Sequence, residues 1–260
     1  MKKSTILRTI FVFSILLLSM IVYEIASSYT MSQKVVKTNA TPITNKTVVL
    51  DAGHGLPDEG AVGFTGTTEQ AINLEIVLKL QELIEQSGAK VILTRSDENG
   101  IYSADSTSIR NKKISDIKNR EYIVDNSNAD IFVSIHLNKY EDSKYSGWQT
   151  FYQSKIDNSK ILATNIQNEL NNNINNDNTR VPMAIKGVYL MEHINIPGVV
   201  VECGFISNPN EEELLKQETH QSKLAWGIYT GIQKCFKEID NINVEEKWKK
   251  SLWKKLWKKL

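Results

Sequence analysis

Short apolar stretches alternate with longer segments of helical periodicity along the middle of the chain. The predicted strands are Val48–Asp51, Val91–Thr94, Ile131–Ile135, Thr150–Tyr152 and Val199–Val201. The predicted helices are Thr68–Gln86, Ile109–Asn126, Ile156–Asn172 and His220–Lys237. Strands that are separated by helices of this length indicate a mainly parallel sheet with helices on both faces. We therefore predict a single α/β domain over residues 48–238.

The N-terminus has the residue order of a secretory signal. Lys2, Lys3 and Arg8 precede an apolar run over residues 10–23, and small residues follow at 26–28. The run is shorter than the ~20 residues that span a bilayer comfortably, so residues 1–30 are predicted to be either a cleaved signal peptide or an uncleaved membrane anchor. Both alternatives place the domain outside the cytoplasm. Residues 31–47, with many Thr, Asn and Lys, are predicted to be a linker.

The C-terminal segment, residues 239–260, ends in a basic amphipathic pattern. Its apolar face is formed by Trp248, Leu252, Trp253, Leu256, Trp257 and Leu260. Residues 247–260 contain seven Lys and no acidic residue. Such a helix is typical of segments that bind membrane surfaces or anionic polymers. Its near-repeat of Leu-Trp-Lys-Lys is unlike the rest of the chain, so an appended segment is the alternative.

Charge and cysteine content argue against nucleic-acid binding and against a thiolate metal site or redox pair. The chain of 260 residues has a formal net charge of +1, but residues 31–246 carry 21 basic and 29 acidic side chains, about −8. Affinity for nucleic acid comes mainly from Lys and Arg, so nucleic acid is not expected as a partner. Cys203 and Cys235 form no Cys-x-x-Cys motif and are expected to be packed thiols.

Three polar side chains follow predicted strands directly. His54 lies in VVLDAGHG, His136 in FVSIHLN and Glu202 in VVVECGF. Open α/β sheets bind ligands at the carboxyl ends of their strands, so we expect these residues to lie close together. Glu202 is flanked by apolar residues, and burying an unpaired carboxylate there would cost several kcal/mol. It therefore requires a cation, a proton or a metal site beside it.

A fourth candidate, Glu69, lies in the first turn of the helix that follows GFTGTT. Thr67 and Gln70 have capping-box spacing. Two imidazoles and one carboxylate are a usual ligand set for catalytic Zn²⁺, with the fourth position open to water. His54, Glu69 and His136 could form that set, and Glu202 could then take a proton from the water and pass it to a leaving nitrogen.

Each candidate also has a purely structural interpretation. A single His after a strand is often a hydrogen-bonded loop residue, and Glu69 could simply complement its helix dipole. Asp51 could be an acceptor beneath the site or a turn cap. We expect His193 and His220 to be ordinary polar residues, and Arg120 to be an ion-pair partner.

Four segments in order resemble the zinc-dependent N-acetylmuramoyl-L-alanine amidases of the Amidase_3 type. They are VVLDAGHG, GTTEQAINL, ADIFVSIHLN and VVVECGFISNPNEEELL, and the similarity extends over residues 48–236. SGWQTFYQSK and KGVYLME most resemble the CwlD-type, germination-specific subgroup. The resemblance implies a mixed six-stranded sheet with helices on both faces. Two departures, Ala52 for Pro and Leu56 for Gly, affect the turn that carries His54 but remove no functional group.

The resemblance also implies the roles of the four candidates and the reaction. The family's Zn²⁺ ligands correspond to His54, Glu69 and His136, and its catalytic glutamate corresponds to Glu202. The bond cleaved would be the amide between the lactyl group of N-acetylmuramic acid and L-alanine in peptidoglycan. The subgroup implies δ-lactam formation in the spore cortex, in a protein that is secreted or membrane-anchored, in the forespore intermembrane space. It also implies a lipoprotein activator, and the two termini could contact a membrane surface.

Two other functions are compatible with the same residues. A zinc peptidase that cuts within the stem peptide would use the same ion and the same base. A non-catalytic cell-wall adaptor would need neither, so the presence of all four residues argues against it.

Overall fold

The structure is a computed structural model that describes residues 11–27, 41–174 and 178–257, with side chains described as far as residue 250. The chain divides into two units, residues 1–40 and residues 41–260. In the first unit, residues 11–27 form helix α1, whose apolar side chains are exposed. No helix within the described ranges combines the length and apolar character needed to cross a membrane. The predicted signal or anchor also covers residues 1–10 and 28–30, which lie outside those ranges.

The second unit is built on a six-stranded sheet. Its strands are β1 Thr47–Ala52, β2 Lys90–Leu93, β3 Ile131–Asn138, β4 Gln149–Tyr152, β5 Met183–Ala184 and β6 Gly198–Phe205. The order across the sheet is β2-β1-β3-β6-β4-β5. All neighbours are parallel except β4 and β6, which pair antiparallel. The predicted mixed, mainly parallel sheet is therefore confirmed.

Helices cover both faces of the sheet. They are α2 Glu69–Gln86, α3 Ile109–Asp125, α4 Asp157–Asn173, α5 Tyr189–His193, α6 Pro209–Leu215 and α7 Glu218–Trp257. Helices α2, α4 and α7 pack on one face over the larger hydrophobic core, while α3 and the short α5 cover the other face with a smaller core. Alternation along the strands divides the side chains between the faces, because successive residues of a strand point in opposite directions.

Glycine allows α4 and α7 to pack closely. A Cβ atom at Gly231 would lie 2.5 Å from Ile166 Cα, and one at Gly227 would lie 3.2 Å from Leu170 Cα. Backbone atoms cannot move aside as side chains do. A larger residue at Gly231 would therefore force the two helices apart.

The predicted strands and helices are all present, but the cap of α2, three short elements and the end of α4 differ from the prediction. The capping box predicted for α2 is wrong: Thr68 is the N-cap, and it makes no side-chain cap hydrogen bond. Strand β5 and helices α5 and α6 were not predicted because they are too short to show a period. The Asn-rich run at 171–178 belongs to α4 as far as Asn173, and residues 175–177 lie outside the described ranges.

At its N-terminal end, the domain begins earlier than the sequence pattern predicts. Ile43, within the predicted linker, is completely buried, and Thr41 and Thr44 donate hydrogen bonds to Ser87 O. Residues 41–46 therefore pack with the domain, and residues 31–40 lie outside the described ranges.

Helix α7 continues without interruption to Trp257. Whether the tail is a separate functional segment stays a prediction.

Candidate active site

The carboxyl ends of three neighbouring strands meet at one edge of the sheet. Strand β1 ends at Ala52, two residues before His54, and His136 of β3 is directly opposite Glu202 of β6 in the parallel register. Glu69 is the first residue of α2. The predicted convergence of His54, Glu69, His136 and the Glu202 strand is therefore found at this edge.

One carboxylate oxygen lies between the two imidazole rings. Glu69 Oε1 is 2.9 Å from His136 Nδ1 and 3.3 Å from His54 Nε2. The two rings make an edge-to-face contact, with their centroids 5.0 Å apart. One potential ligand atom from each of the three residues lies within 4.8 Å of the others. Two imidazole nitrogens and a carboxylate oxygen this close can coordinate a single divalent ion.

Two glycines leave room for these side chains. A Cβ at Gly53 would lie 2.3 Å from His136 Nε2, and a Cβ at Gly60 would lie 2.6 Å from Glu69 Oε2. His54 itself has a φ of 63°, in the left-handed region that few non-glycine residues adopt. The turn must therefore be held by contacts outside its own backbone.

Asp58 fixes the orientation of the His54 ring. Its Oδ2 is 3.0 Å from His54 Nδ1, which leaves Nε2 directed at Glu69. Lys113 in turn pairs with Asp58 at 2.7 Å. A carboxylate on the second nitrogen is the usual companion of a metal-binding histidine. Sequence reasoning missed Asp58, although its position four residues after His54 was a usable signal.

Burial lowers the basicity of His54, but the hydrogen bonds to Asp58 and Glu69 outweigh it and raise the pKa of His54 to about 9. Glu69 is buried as well, yet its hydrogen bonds with His136 and His54 hold its pKa well below the usual range. Protons and a metal ion would compete for this cluster, since metal ligands must be deprotonated.

A buried ion pair supports the turn from below. Asp51 and Arg120 are almost completely buried, and Arg120 Nη1 lies 2.5 Å from Asp51 Oδ1. Asp51 also accepts hydrogen bonds from Ser134 and Thr94. Despite burial, which acts in the opposite direction, Arg120 and these hydroxyls lower the pKa of Asp51 to about 2. Asp51 is thus an acceptor beneath the site, and the prediction of Arg120 as an ion-pair partner is confirmed.

Two arginines bind the backbone carbonyls of the turn. Arg120 donates to Ala52 O and His54 O, and Arg95 donates to Ala52 O and Gly53 O. Asn73 also donates to Gly53 O. Sequence reasoning missed Arg95 and Asn73, because nothing in their local pattern separates them from surface residues. These bonds fix the path of the chain from the end of β1 to His54.

Glu202 differs from every other carboxylate near the site. Its Oε2 is buried without a hydrogen-bond partner among the described residues. Burial raises the pKa of Glu202 to about 7; Glu69 adds to this effect, and His136 and His54 oppose it. No arginine pairs with it among those residues. A carboxyl group with a pKa near neutrality can both accept and donate a proton at physiological pH.

The remaining histidines and both cysteines are not part of the His54, Glu69 and His136 cluster. His193 stacks on Tyr189 and bonds its backbone carbonyl, and His220 is in the first turn of α7. Cys203 and Cys235 are buried free thiols. These predictions are confirmed.

Replacing Arg120 with Met should destabilise the protein strongly, because it would leave the Asp51 charge buried without a counter-ion. We expect a loss of about 3–5 kcal/mol in the free energy of unfolding, measured by urea denaturation. Lys118→Met, at an exposed position of the same helix, is the control and should change stability by less than about 0.5 kcal/mol. A small loss in Arg120→Met would contradict the structural role of the pair.

The raised pKa of Glu202 predicts a pH-dependent effect of Glu202→Gln on the stability of the metal-free protein. At pH 4 both side chains are neutral, and the two proteins should be similarly stable. Between its unfolded pKa of 4.5 and its folded pKa of about 7, Glu202 binds more protons in the folded state, so wild-type stability falls as the pH rises. By pH 8 the variant should gain up to about 3 kcal/mol relative to wild type. Urea denaturation in a chelator tests this, and a difference independent of pH would refute it.

Comparison with known proteins identifies the family. Residues 48–234 match the family model of N-acetylmuramoyl-L-alanine amidase. The germination-specific N-acetylmuramoyl-L-alanine amidase of Bacillus subtilis is 37% identical over 197 residues, which cover 76% of this chain and 82% of that protein.

Solved structures agree with this assignment. The CwlD amidase of Clostridioides difficile, solved in complex with the GerS lipoprotein, is 49% identical with a TM-score of 0.73, covering 74% of this chain and 99% of that one. The catalytic domain of the amidase CwlV from Bacillus (Paenibacillus) polymyxa is 31% identical with a TM-score of 0.62, covering 73% and 97%. The strand-end cluster thus lies within the matched region, and this chain belongs to the N-acetylmuramoyl-L-alanine amidase family, as its motifs predicted.

Proposed function

We propose that this peptidoglycan amidase is a zinc enzyme, in which His54, Glu69 and His136 hold the ion and Glu202 transfers the proton. The observation that carries the proposal is the approach of three ligand atoms to within 4.8 Å, from residues far apart in the chain. The ligand set also fits Zn²⁺ chemically, since two imidazoles and one carboxylate leave a fourth position open.

The reaction breaks the bond between the lactyl carbonyl carbon and the nitrogen of L-alanine. A bound zinc ion would polarise the carbonyl and make water more acidic. Glu202 takes a proton from the attacking water and gives it to the alanine nitrogen as the bond breaks. The products are a lactyl carboxylate and a peptide with a free amino group.

The environment of Glu202 suits both halves of this transfer. Its unpartnered oxygen is not held by an arginine or a backbone amide among the described residues, so the carboxyl group can face the reacting atoms. Its pKa of about 7 makes the carboxylate a better base than an exposed glutamate, and the acid form a usable donor. Asp58 and Arg120 take no proton in this scheme, because both are held in ion pairs.

The relatives and the ends of the chain support a biological setting. We propose that the enzyme acts outside the cytoplasm in spore-cortex maturation, where amide cleavage precedes muramic δ-lactam formation. The germination-specific relative supports this setting. The basic residues and apolar run at the N-terminus support export, by signal cleavage or as an anchor. The structure of the related CwlD amidase with the GerS lipoprotein supports a lipoprotein partner, and the two termini would place the enzyme near a membrane surface.

A combined metal and product analysis tests the activity. Purified protein should contain one equivalent of zinc, and should release peptides with a free L-alanine amine and lactyl-terminated glycan from peptidoglycan. Mass spectrometry of the digest distinguishes this outcome from cleavage within the stem peptide, which would show a zinc peptidase. Zinc binding without any product would indicate a non-catalytic adaptor instead.

The separate roles of ligand and proton carrier can be tested with two variants. Glu202→Gln should lower kcat by about 10²–10⁴-fold and leave the zinc content unchanged, since the amide cannot accept a proton. His136→Ala should lower zinc content and activity together. The assignments fail if Glu202→Gln loses its zinc, or if His136→Ala remains fully active with its metal. Replacing the distant His220 with Ala is the matched control and should change neither quantity.

A further inference from the structure

The chain enters α2 through a turn whose two arms are hydrogen-bonded to each other. Gly63 N donates to Thr67 O at 2.8 Å. At the base of the turn, Glu69 N donates to Ala61 O at 2.8 Å, and Ala61 N donates to Glu69 Oε2 at the same distance. The position of the Glu69 carboxylate is therefore tied to the path of residues 61–69.

Apolar packing holds only the base of this turn. Ala61 packs against the larger hydrophobic core, but the two large apolar side chains of the turn, Val62 and Phe64, are 36% and 88% exposed. A surface segment with few buried apolar contacts opens easily unless other contacts restrain it. The outer part of the turn therefore depends on polar contacts from other elements.

One carboxylate from α6 supplies such contacts to the tip of the turn. Glu212 is completely buried, and its Oε1 lies 3.0 Å from Thr65 N and 2.6 Å from Thr65 Oγ1. Its Oε2 lies 3.2 Å from Thr65 N. Despite burial, which acts in the opposite direction, hydrogen bonds from Thr65 and Thr67 lower the pKa of Glu212 to about 2. The turn thus binds this side chain as a carboxylate.

The turn and α6 fit closely around this carboxylate. A Cβ at Gly63 would lie 2.4 Å from Glu212 Cδ, so the approach requires glycine. Helix α6 is in turn fixed to the end of β6, because Phe205 N donates to Glu211 Oε2 at 2.7 Å. Glu212 therefore connects the turn before α2 to the strand that carries Glu202.

We propose that Glu212 is a positioning residue for the metal site. It holds the turn at residues 61–69 and so keeps the Glu69 carboxylate between the two imidazole rings. The proposal rests on the proposed function, which makes Glu69 a zinc ligand. Groups that orient a metal ligand affect metal affinity without touching the ion, and their loss typically lowers it by about 10- to 100-fold. Loss of Glu212 should therefore weaken zinc binding.

Two single variants disturb the contact from opposite sides. Glu212→Gln keeps the size of the side chain but leaves one acceptor oxygen where the turn uses two. Gly63→Ala keeps the carboxylate and pushes the turn away from it, because the added Cβ would overlap Glu212. Glu213→Gln is the matched control, since Glu213 is the next residue of α6 and its side chain is 60% exposed.

Zinc affinity, measured by competition with a chelating dye, is the main readout. Glu212→Gln and Gly63→Ala should each bind zinc about tenfold more weakly than wild type, and their kcat and KM should approach wild-type values at saturating zinc. In the metal-free protein, hydrogen exchange over residues 59–70 should be faster in both variants. Glu213→Gln should match wild type in every measurement. The melting temperature of each variant shows whether it is folded.

A double-mutant cycle tests whether the two residues act through one contact. In a Glu212→Ala background the added Cβ has room, so Gly63→Ala should cause no further loss of zinc affinity. Additive losses would overturn the proposal. A Glu212→Gln protein with a lower melting temperature but wild-type zinc affinity would also overturn it, because the role would then be structural only. If that variant does not fold, unchanged zinc affinity in Gly63→Ala has the same consequence.

The outcomes separate this proposal from the proposed function. Wild-type zinc affinity in both single variants, together with normal cleavage of the muramoyl amide, overturns the role of Glu212 and leaves the amidase mechanism intact. A wild-type protein that binds zinc but cleaves no muramoyl amide refutes the mechanism, and the affinities of the variants still decide the role of Glu212. A wild-type protein that binds no zinc overturns both.

Discussion

The site depends on a turn that its own backbone does not favour. After β1 ends at Ala52, His54 adopts a left-handed conformation. The carbonyl groups around it are held by Arg120 of α3 and by Arg95 of the loop after β2. Arg120 can be buried there because Asp51 lies beneath it at 2.5 Å. A buried ion pair contributes little net stability, but it is costly to break. Its effect here is to fix one geometry for the turn.

Two carboxylates on the same face of the sheet have opposite properties. Asp51 is saturated with hydrogen bonds, and its pKa falls to about 2. Glu202 has an oxygen with no partner among the described residues, and burial raises its pKa to about 7. The first is a fixed negative charge that supports the fold, and the second can exchange a proton. Burial raises the pKa of both groups, but Arg120 and two hydroxyl groups outweigh it at Asp51, whereas no arginine pairs with Glu202 among the described residues.

The two faces of the sheet are filled to different extents. The face under α2, α4 and α7 is filled, with glycines that allow α4 and α7 to pack closely. The face under α3 and α5 is only partly covered, and a cavity beside His54 and His136 lies there. A packed face supplies stability, while an incomplete one leaves space for a ligand next to the histidine cluster.

The sequence predicted the strands, the long helices and the candidate residues His54, Glu69, His136 and Glu202, because periodicity and position at the end of a strand or helix are local properties, and four ordered motifs reinforce them. It did not reveal Asp58, Arg95 or the cavity beside α5, and its capping box for α2 was wrong. Hydrogen-bond partners, the unpaired oxygen of Glu202 and the uncovered part of the sheet depend on distances between residues far apart in the chain. The packing of the helices against the sheet sets those distances, and no local pattern in the sequence reveals them.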